Sequence, residues 1–274
     1  METDPRGALT GITEEKVRLA ARLVRRGEVI ALSHPLDWPP REGDGDSRLF
    51  RPALRRENIV TNNPFPLRDG RYAVANDDVV RLSLQGSSHW DALAHFGVLE
   101  PGRPGVFYGD RPLEEAGAAG ARTLGIDAAA GGIVTRGVLF DMVGFLGRAE
   151  PGYLEDSTRI TDAMLDGFLA EHGLELERGD AALIYTGFFP RWVANGGAIP
   201  AAIAGLDGSS MRLWRESGVA ALASDNPTLD AAPMDHSVHI GALRELGVML
   251  GEYWALDALA AACRGDGVYE FLLA

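Results

Sequence analysis

The stretch Gln85-Gly-Ser-Ser-His-Trp-Asp-Ala-Leu-Ala-His95 places two histidines and one aspartate within seven positions. His89 and Asp91 are two residues apart, so on an extended segment both side chains point to the same side. His95 lies four residues beyond Asp91, a spacing that brings two side chains together on one face of a helix. A neutral imidazole and a carboxylate together suit zinc, manganese or iron. A strand or turn that enters a helix here would therefore form a divalent metal site.

A simpler interpretation of the same stretch needs no metal. Both histidines would form local hydrogen bonds, and Asp91 would cap a helix. Gly86 and the two serines that follow it allow the backbone to turn sharply just before the histidine. This turn favours the metal site, but the residues alone leave the simpler interpretation open.

Composition restricts the classes of function. The 274 residues, 46% hydrophobic and 24% charged, can form a sizeable core within one α/β domain. Cys263 is the only cysteine, which excludes an intramolecular disulfide and a zinc site that needs two thiolates. A formal net charge of −13 repels phosphate backbones, and the clustered arginines are not interleaved with aromatic residues. The sequence therefore predicts no nucleic-acid partner.

The first residues, METDPRGALTGITEEK, are polar and acidic and lack the apolar run of a signal peptide. No later segment approaches the roughly 20 apolar residues that a membrane-spanning helix requires. A Gly-x-Ser-x-Gly motif and a phosphate-binding loop are both absent from the sequence, which argues against the common serine-hydrolase route. We expect a cytoplasmic protein that has no membrane partner and acts on a small molecule.

Hydrophobic periodicity and capping residues predict a mixed succession of elements. Helices are expected over residues 13–27, 161–171, before Gly218, and over 237–246 and 256–263. Strands are expected over residues 29–33, 79–84, 137–143, 181–185, 219–223 and 269–273. The order is not strictly βαβ, so we predict a single mixed α/β domain over residues 1–274 rather than a doubly wound sheet. Residues 34–78 are predicted to be a long, loop-rich segment near the site or a subunit interface.

The motif at residues 85–95 resembles the signature of the putative cyclase family, whose general form is His-x-Gly-Thr-His-x-Asp-x-Pro-x-His. Three later segments also resemble family elements: Thr135–Asp141, Arg178–Gly187 and Val238–Glu252. The family includes bacterial kynurenine formamidases, isatin hydrolases and enzymes of polyketide biosynthesis. The resemblance implies a swivelling β/β/α architecture and a homodimer or homotetramer.

The resemblance also implies roles for the residues of the motif. His89 and Asp91 match the metal ligands of the family. Gln85 stands where the general signature has its first histidine, and an amide is a weaker ligand for zinc than an imidazole. His95 matches the last histidine of the signature, which lies near the metal-bound water.

His239 and Glu252, late in the chain, match the family residues that bind a second metal ion or hold the water and the substrate. His239 is preferred over His236 because the family-like run that leads to Glu252 follows it. Trp90 and His34 are candidate substrate contacts. Trp90 could equally be a packing residue, and His34 could simply end the first predicted strand.

The implied chemistry is hydrolysis of an amide, lactam or lactone in a small aromatic or cyclic substrate. A zinc or manganese ion would lower the pKa of a bound water from about 15.7 toward roughly 7, and His95 would accept its proton. Glu252 would help to orient the water. One alternative is a polyketide-type ring closure or dehydration that uses the same metal as a Lewis acid. Another alternative is a non-catalytic protein that binds a metal or a small molecule.

Overall fold

The computed structural model describes residues 3–38, 51–52 and 54–274. The chain has two compact units, residues 1–34 together with 88–274, and residues 35–87. Helices α1 to α7 are Glu14–Ala21, Met142–Phe145, Asp162–His172, Phe188–Ala194, Met211–Ser217, Ser237–His239 and Asp257–Asp266. Short 3-10 helices lie at Gly7–Gly11, Tyr108–Asp110, Leu113–Glu115, Ile126–Ala129 and Gly208–Ser210.

Strands β1 to β12 are Arg55–Pro66, Tyr72–Arg81, His89–Asp91, Ala116–Gly117, Gly120–Ala121, Thr135–Asp141, Arg159–Ile160, Ala181–Tyr185, Gly205–Leu206, Ala221–Ser224, Met249–Glu252 and Glu270–Leu273. Six of them form the central sheet of the larger unit, in the order β12-β6-β8-β10-β11-β3. The four inner strands are parallel, and each edge strand is antiparallel to its neighbour. The predicted mixed α/β class is therefore confirmed.

The inner strands are mostly buried because both faces of the sheet are covered, and β8 is apolar along its whole length. All five residues of β8 are buried, as are all four residues of β10 and of β11. Continuous apolar runs of this kind are typical of parallel strands with packing on both sides. The run at 181–185 was predicted with the correct bounds.

Capping residues define the helices that the sequence predicted best. Thr13 accepts a hydrogen bond from the Lys16 amide at 3.1 Å, and α1 begins at the next residue. Thr161 caps α3 in the same way, and Gly173 ends it in the left-handed conformation that glycine adopts at little cost. The first helix is shorter than predicted, since it ends at Ala21 and not near Gly27. The helix predicted over 237–246 is present, but it continues beyond α6 as a π-helix, Ile240–Leu246.

The strand predicted over residues 29–33 is wrong. The segment is extended but pairs with no strand of the sheet, and the side chain of Val29 is 92% exposed. One backbone bond, from Ala255 to the Leu32 carbonyl at 2.9 Å, holds it locally. Ile30 and Leu32 pack against the core while their neighbours in the chain are exposed, so the run is half-buried without joining the sheet. An apolar run therefore indicates burial but does not by itself predict strand pairing.

The smaller unit contains an antiparallel hairpin, in which β1 pairs with β2. The turn closes through the Leu67 amide and the Arg71 carbonyl, 2.7 Å apart. The loop-rich prediction for residues 34–78 is therefore wrong over 55–66 and 72–78, while residues 39–50 and 53 lie outside the described part of the chain. The strands were missed because nearly every position is exposed, so no apolar and polar alternation marks them. The expectation of one domain over 1–274 stays a prediction.

Among the described residues, no helix combines the length and the apolar character needed to cross a membrane.

A buried ion cluster joins α1 to the central sheet. The carboxylate of Asp180, fully buried just before β8, accepts two bonds from the guanidinium of Arg136, at 2.6 and 3.1 Å. The ammonium group of Lys16 lies 2.5 Å from the same carboxylate. A buried charge that loses its partner is strongly destabilising, so this cluster depends on Asp180.

We expect Asp180→Ala to lower the free energy of unfolding by about 3 kcal/mol, the lower end of the cost of breaking a buried pair. The lower end applies because Arg136 retains Glu270 and Lys16 retains Glu177. Denaturant titration followed by circular dichroism measures the change. The control is Glu245→Ala, which removes an exposed pair with Arg215 and should cost about 0–1 kcal/mol. Equal losses in the two variants would contradict the role of this cluster.

Candidate metal centre

The candidate metal ligands converge because β3 pairs with β11. In this antiparallel pair His89 lies opposite Glu252, and Asp91 lies opposite Leu250. His89 and Asp91 therefore share one face of β3, and Glu252 lies across from His89. The three side chains are only 3–8% exposed.

Two groups of possible ligands share Asp91. In the first group, Nε2 of His89 lies 3.4 Å from Oδ1 of Asp91 and 3.5 Å from Oε2 of Glu252. In the second group, which includes His239, Nε2 of His95 lies 3.8 Å from Oδ2 of Asp91. Each group offers three ligand atoms within 4.8 Å of one another. Asp91 thus directs one carboxylate oxygen to each group.

These spacings and donor types fit a divalent metal ion. Ligand atoms about 2.0–2.2 Å from a tetrahedral ion lie about 3.3–3.6 Å apart, which is close to the separations around His89. Imidazole nitrogens mixed with carboxylate oxygens suit zinc and manganese. The donor set therefore fits the cofactor that the sequence predicted, and it does not distinguish zinc from manganese.

His95 reaches the cluster from a turn and not from a helix. Its amide donates to the Ala92 carbonyl at 2.8 Å, and the intervening Leu93 is fully buried. The helix expected after Asp91 is therefore wrong, although the predicted meeting of Asp91 with His95 is correct. His95 is 33% exposed, so it is the group of this cluster most accessible to solvent and substrate.

Burial and mutual contact shift the acid–base properties of the cluster. Burial raises the pKa of Glu252, and the nearby charge of Asp91 raises it further. Burial acts in the same direction on Asp91, but the hydrogen bond from His89 and the charges of His95 and His239 hold the pKa of Asp91 below its usual range. Burial would lower the pKa of His239, but Asp230 and Glu252 raise it to about 10. Without a metal ion, the carboxylates of Asp230 and Glu252 thus favour the protonated form of the His239 ring. A bound cation would neutralise these carboxylates in place of that proton.

His239 completes the arrangement from the end of α6. Its Nε2 lies 3.4 Å from Oε1 of Glu252, and its ring centroid is 6.3 Å from that of His95. The predicted choice of His239 over His236 agrees with this geometry, because His239 shares a ligand group with Asp91 and His95. The particular roles of His239 and Glu252 stay predictions.

Trp90 lies on the opposite face of β3 from His89 and Asp91. Its ring packs edge-to-face on Trp254 at 4.8 Å, and its partner in the register is Gly251. A Cβ on Gly251 would lie 2.6 Å from the Trp254 indole nitrogen, so glycine is required for this packing. The packing interpretation of Trp90 fits this geometry, and a substrate contact stays a prediction.

His34 is tied to the two segments that carry the ligands. Its amide donates to the Ser88 hydroxyl at 2.8 Å, and that hydroxyl donates to the Tyr253 carbonyl at 2.6 Å. The imidazole packs edge-to-face on Phe189 at 4.3 Å, and burial lowers the pKa of His34. Tyr253, directly after Glu252, has a φ of +56°, a strained conformation often found at functional sites. A substrate contact by His34 stays a prediction.

Gln85 belongs to the smaller unit, where its Oε1 accepts a bond from Nη2 of Arg51 at 2.8 Å. Its role as a metal ligand stays a prediction.

Sequence reasoning missed Asp230, which is buried and contacts His239. Oδ2 of Asp230 lies 2.6 Å from Nδ1 of His239. A separation of nine residues matches neither helical nor strand periodicity, and Asp230 lies outside every predicted element. The sequence contains no local signal for this contact.

Comparison with known proteins places the chain in a family. The sequence profile of a family described as "Putative cyclase" matches residues 30–231. The crystal structure of a protein described as a novel cyclase superposes with a TM-score of 0.85 at 31% identity, covering 100% of this chain and 89% of that one. No curated protein matches the chain.

Two more distant structures share the fold. Isatin hydrolase A from Labrenzia aggregata, bound to benzyl benzoate, has 18% identity and a TM-score of 0.55 over 87% of this chain and 86% of that one. A protein from Bacillus stearothermophilus described as a predicted metal-dependent hydrolase has 15% identity and a TM-score of 0.50 over 84% and 83%. The profile match and the similarity at 31% identity together show that this chain belongs to the cyclase family.

Proposed function

We propose that this chain is a metal-dependent hydrolase that cleaves an amide, lactam or lactone bond in a small aromatic or cyclic substrate. The observation that carries the proposal is the pair of ligand groups that share Asp91. One of these groups includes His95, which is more exposed than the other members. Membership of the cyclase family and the fold shared with an isatin hydrolase support it.

The roles of the residues follow from their burial and position. His89, Asp91 and His239 are deeply buried, which suits residues that hold a divalent zinc or manganese ion. When bound, this ion supplies an acidified water and polarises the carbonyl of the substrate. We also assign Gln85 to the ligands, as an amide oxygen that would favour harder ions such as manganese.

His95 acts as the general base in this proposal. Its Nε2 accepts the proton of the attacking water and returns it to the leaving nitrogen or oxygen. Partial exposure lets His95 reach a substrate that enters from solvent. Glu252 helps to orient the water, since its carboxylate lies between two of the proposed ligands, 3.5 Å from Nε2 of His89 and 3.4 Å from Nε2 of His239.

The direct test is turnover on a panel of aryl amides, lactams and lactones by metal-loaded protein, with chelated protein as the control. We expect hydrolysis that is lost on chelation and restored by zinc or manganese. Bound metal without any turnover would favour a non-catalytic binder. Ring-closed or dehydrated products without hydrolysis would favour the cyclase alternative.

Asp91→Ala should abolish both metal binding and activity, because one residue supplies an oxygen to each ligand group. Elemental analysis of the purified variant measures the metal content, which should fall to background. Asp156→Ala is the matched control, since it removes a carboxylate paired with Arg191 on a different segment and should retain the metal. Full occupancy in Asp91→Ala would remove Asp91 from the site.

His95→Ala should keep the metal but lose about 10² to 10⁴ in turnover, the usual contribution of a positioned acid–base group. Metal content and kcat are measured on the same preparation. His172→Ala, which changes a histidine at the end of α3, should retain activity. A parallel fall of metal content and activity in His95→Ala would make His95 a ligand and contradict this division of roles.

We further propose that the protein is a homodimer or homotetramer. Three large apolar residues in the hairpin of the smaller unit are 57–65% exposed: Ile59, Tyr72 and Val74. A two-stranded hairpin is marginal alone, and apolar surface of this kind often marks an interface between proteins. The cytoplasmic location stays a prediction.

Sedimentation equilibrium at micromolar concentration should therefore give two or four times the chain mass of 29.3 kDa. Tyr72→Lys in the hairpin should shift the distribution toward the monomer, because it introduces a charge into the apolar surface. The control is Arg103→Ala, outside the hairpin, which should leave the mass unchanged. A single monomeric species at every concentration would contradict the proposed oligomer.

A further inference from the structure

The carboxylate of Asp230 is buried and contacts three nitrogen atoms of α6, two from backbone amides and one from an imidazole. Oδ1 accepts from the Val238 amide at 3.0 Å, and Oδ2 accepts from the His239 amide at 3.2 Å. The third contact joins Oδ2 to the Nδ1 atom of the His239 ring at 2.6 Å. The side chain of Asp230 is only 2% exposed, so water cannot substitute for these partners.

The backbone around Asp230 is held firmly enough to fix this carboxylate. The Ala231 amide donates to the Leu206 carbonyl at 3.0 Å, and the Leu206 amide donates to the Leu229 carbonyl at 2.7 Å. The hydroxyl of Thr228 donates to the Asp230 carbonyl at 2.7 Å. Leu229 has a φ of +49°, a conformation that persists only where surrounding contacts impose it. The backbone of Asp230 is thus held by β9 and its neighbours through contacts that do not involve α6.

These contacts determine which ring nitrogen of His239 carries a hydrogen. A carboxylate only accepts hydrogen bonds, and each oxygen of Asp230 already accepts one from a backbone amide. Nδ1 of His239 must therefore carry a hydrogen to form the contact at 2.6 Å. Nε2 remains as the ligand atom, and it faces Glu252 at 3.4 Å.

We infer that Asp230 is a positioning residue, which fixes the orientation and tautomer of His239 so that Nε2 faces the metal ion. The inference rests on the proposed function, since it requires His239 to bind the metal. A carboxylate behind a metal-bound imidazole increases the basicity of the ligand, and removing such a partner typically costs 10–100-fold in metal affinity. The alternative is that Asp230 only caps α6 through the two backbone amides.

The test is a competitive titration with a chelator that measures the affinity of the metal-free full-length protein for zinc. Asp230→Asn preserves the size of the side chain, and its amide oxygen can still accept a backbone bond at the start of α6. We expect this variant to bind zinc about 10–100-fold more weakly than the wild type. The visible spectrum of the cobalt-substituted protein should change as well, because the orientation of one ligand changes.

Two further variants separate positioning from capping. Asp207→Asn alters a carboxylate that accepts the Ser209 amide at 3.0 Å at the start of a 3-10 helix, without a histidine partner, and should leave zinc affinity unchanged. In a His239→Ala background, Asp230→Asn should cause no further loss, because Asp230 acts through the imidazole. An equal loss in the presence and absence of His239 would overturn the inference in favour of a structural role.

The failure of the inference can be distinguished from the failure of the proposed ligand. If His239→Ala weakens zinc binding and Asp230→Asn leaves it within twofold of the wild type, the inference is wrong and the ligand assignment stands. If His239→Ala has no effect on zinc binding, the ligand assignment is wrong and the inference falls with it.

A measurement on the wild type covers the case in which Asp230→Asn does not fold. Nitrogen-15 NMR of the zinc-loaded protein should show the His239 ring with hydrogen on Nδ1 and zinc on Nε2. The His239 signals are those absent from the His239→Ala spectrum. Zinc on Nδ1 would overturn the inference, and hydrogens on both ring nitrogens would remove His239 from the ligands.

Discussion

The register of β3 against β11 is the constraint on which the site depends. It places His89 opposite Glu252 and turns Asp91 toward the same face. A slip of one residue would turn each of these side chains to the other face of the sheet. The indole of Trp254 donates to the His89 carbonyl at 3.3 Å, and the absence of a side chain at Gly251 makes room for that indole. The apolar packing on one face therefore maintains the ligand geometry on the other.

This geometry has a cost that a bound cation can offset. Buried carboxylates lose hydration, and a cluster of them is unfavourable unless cations or hydrogen-bond donors compensate. Asp91 and Glu252 lie close to three histidines. The carboxylate of Asp230 accepts hydrogen bonds from the start of α6. A divalent ion would supply the remaining positive charge, so metal binding and the stability of this edge of the sheet are coupled.

The sequence predicted the parts of the protein that depend on local spacing. The meeting of His89 with Asp91 follows from their separation of two residues on a strand, and caps such as Thr161 act within three residues. His95 also meets Asp91, but through a turn and not through the predicted helix. The features that the sequence did not predict depend on contacts between residues that are far apart in the chain. The strand Met249–Glu252 was not predicted as a strand, and its register against β3 has no local signal.

Other errors arose where burial, not composition, decides the structure. The apolar run at residues 29–33 buries Ile30 and Leu32 in part against the core but has no paired neighbour, so it is not a strand. The hairpin of β1 and β2 is exposed along nearly its whole length, so it lacks the alternation by which a strand is recognised. Asp230 contacts His239 through the folded path of the chain, which residue spacing does not encode.

The proposed function requires a metal ion at the cluster centred on Asp91. Anomalous diffraction at the zinc edge, from crystals of the zinc-loaded protein, tests this claim most directly. We expect an anomalous peak within coordination distance of Asp91, with His89 or His239 as a nitrogen ligand of the same ion. A protein that binds zinc only at other residues, or that shows no peak at this cluster at saturating zinc, would contradict it.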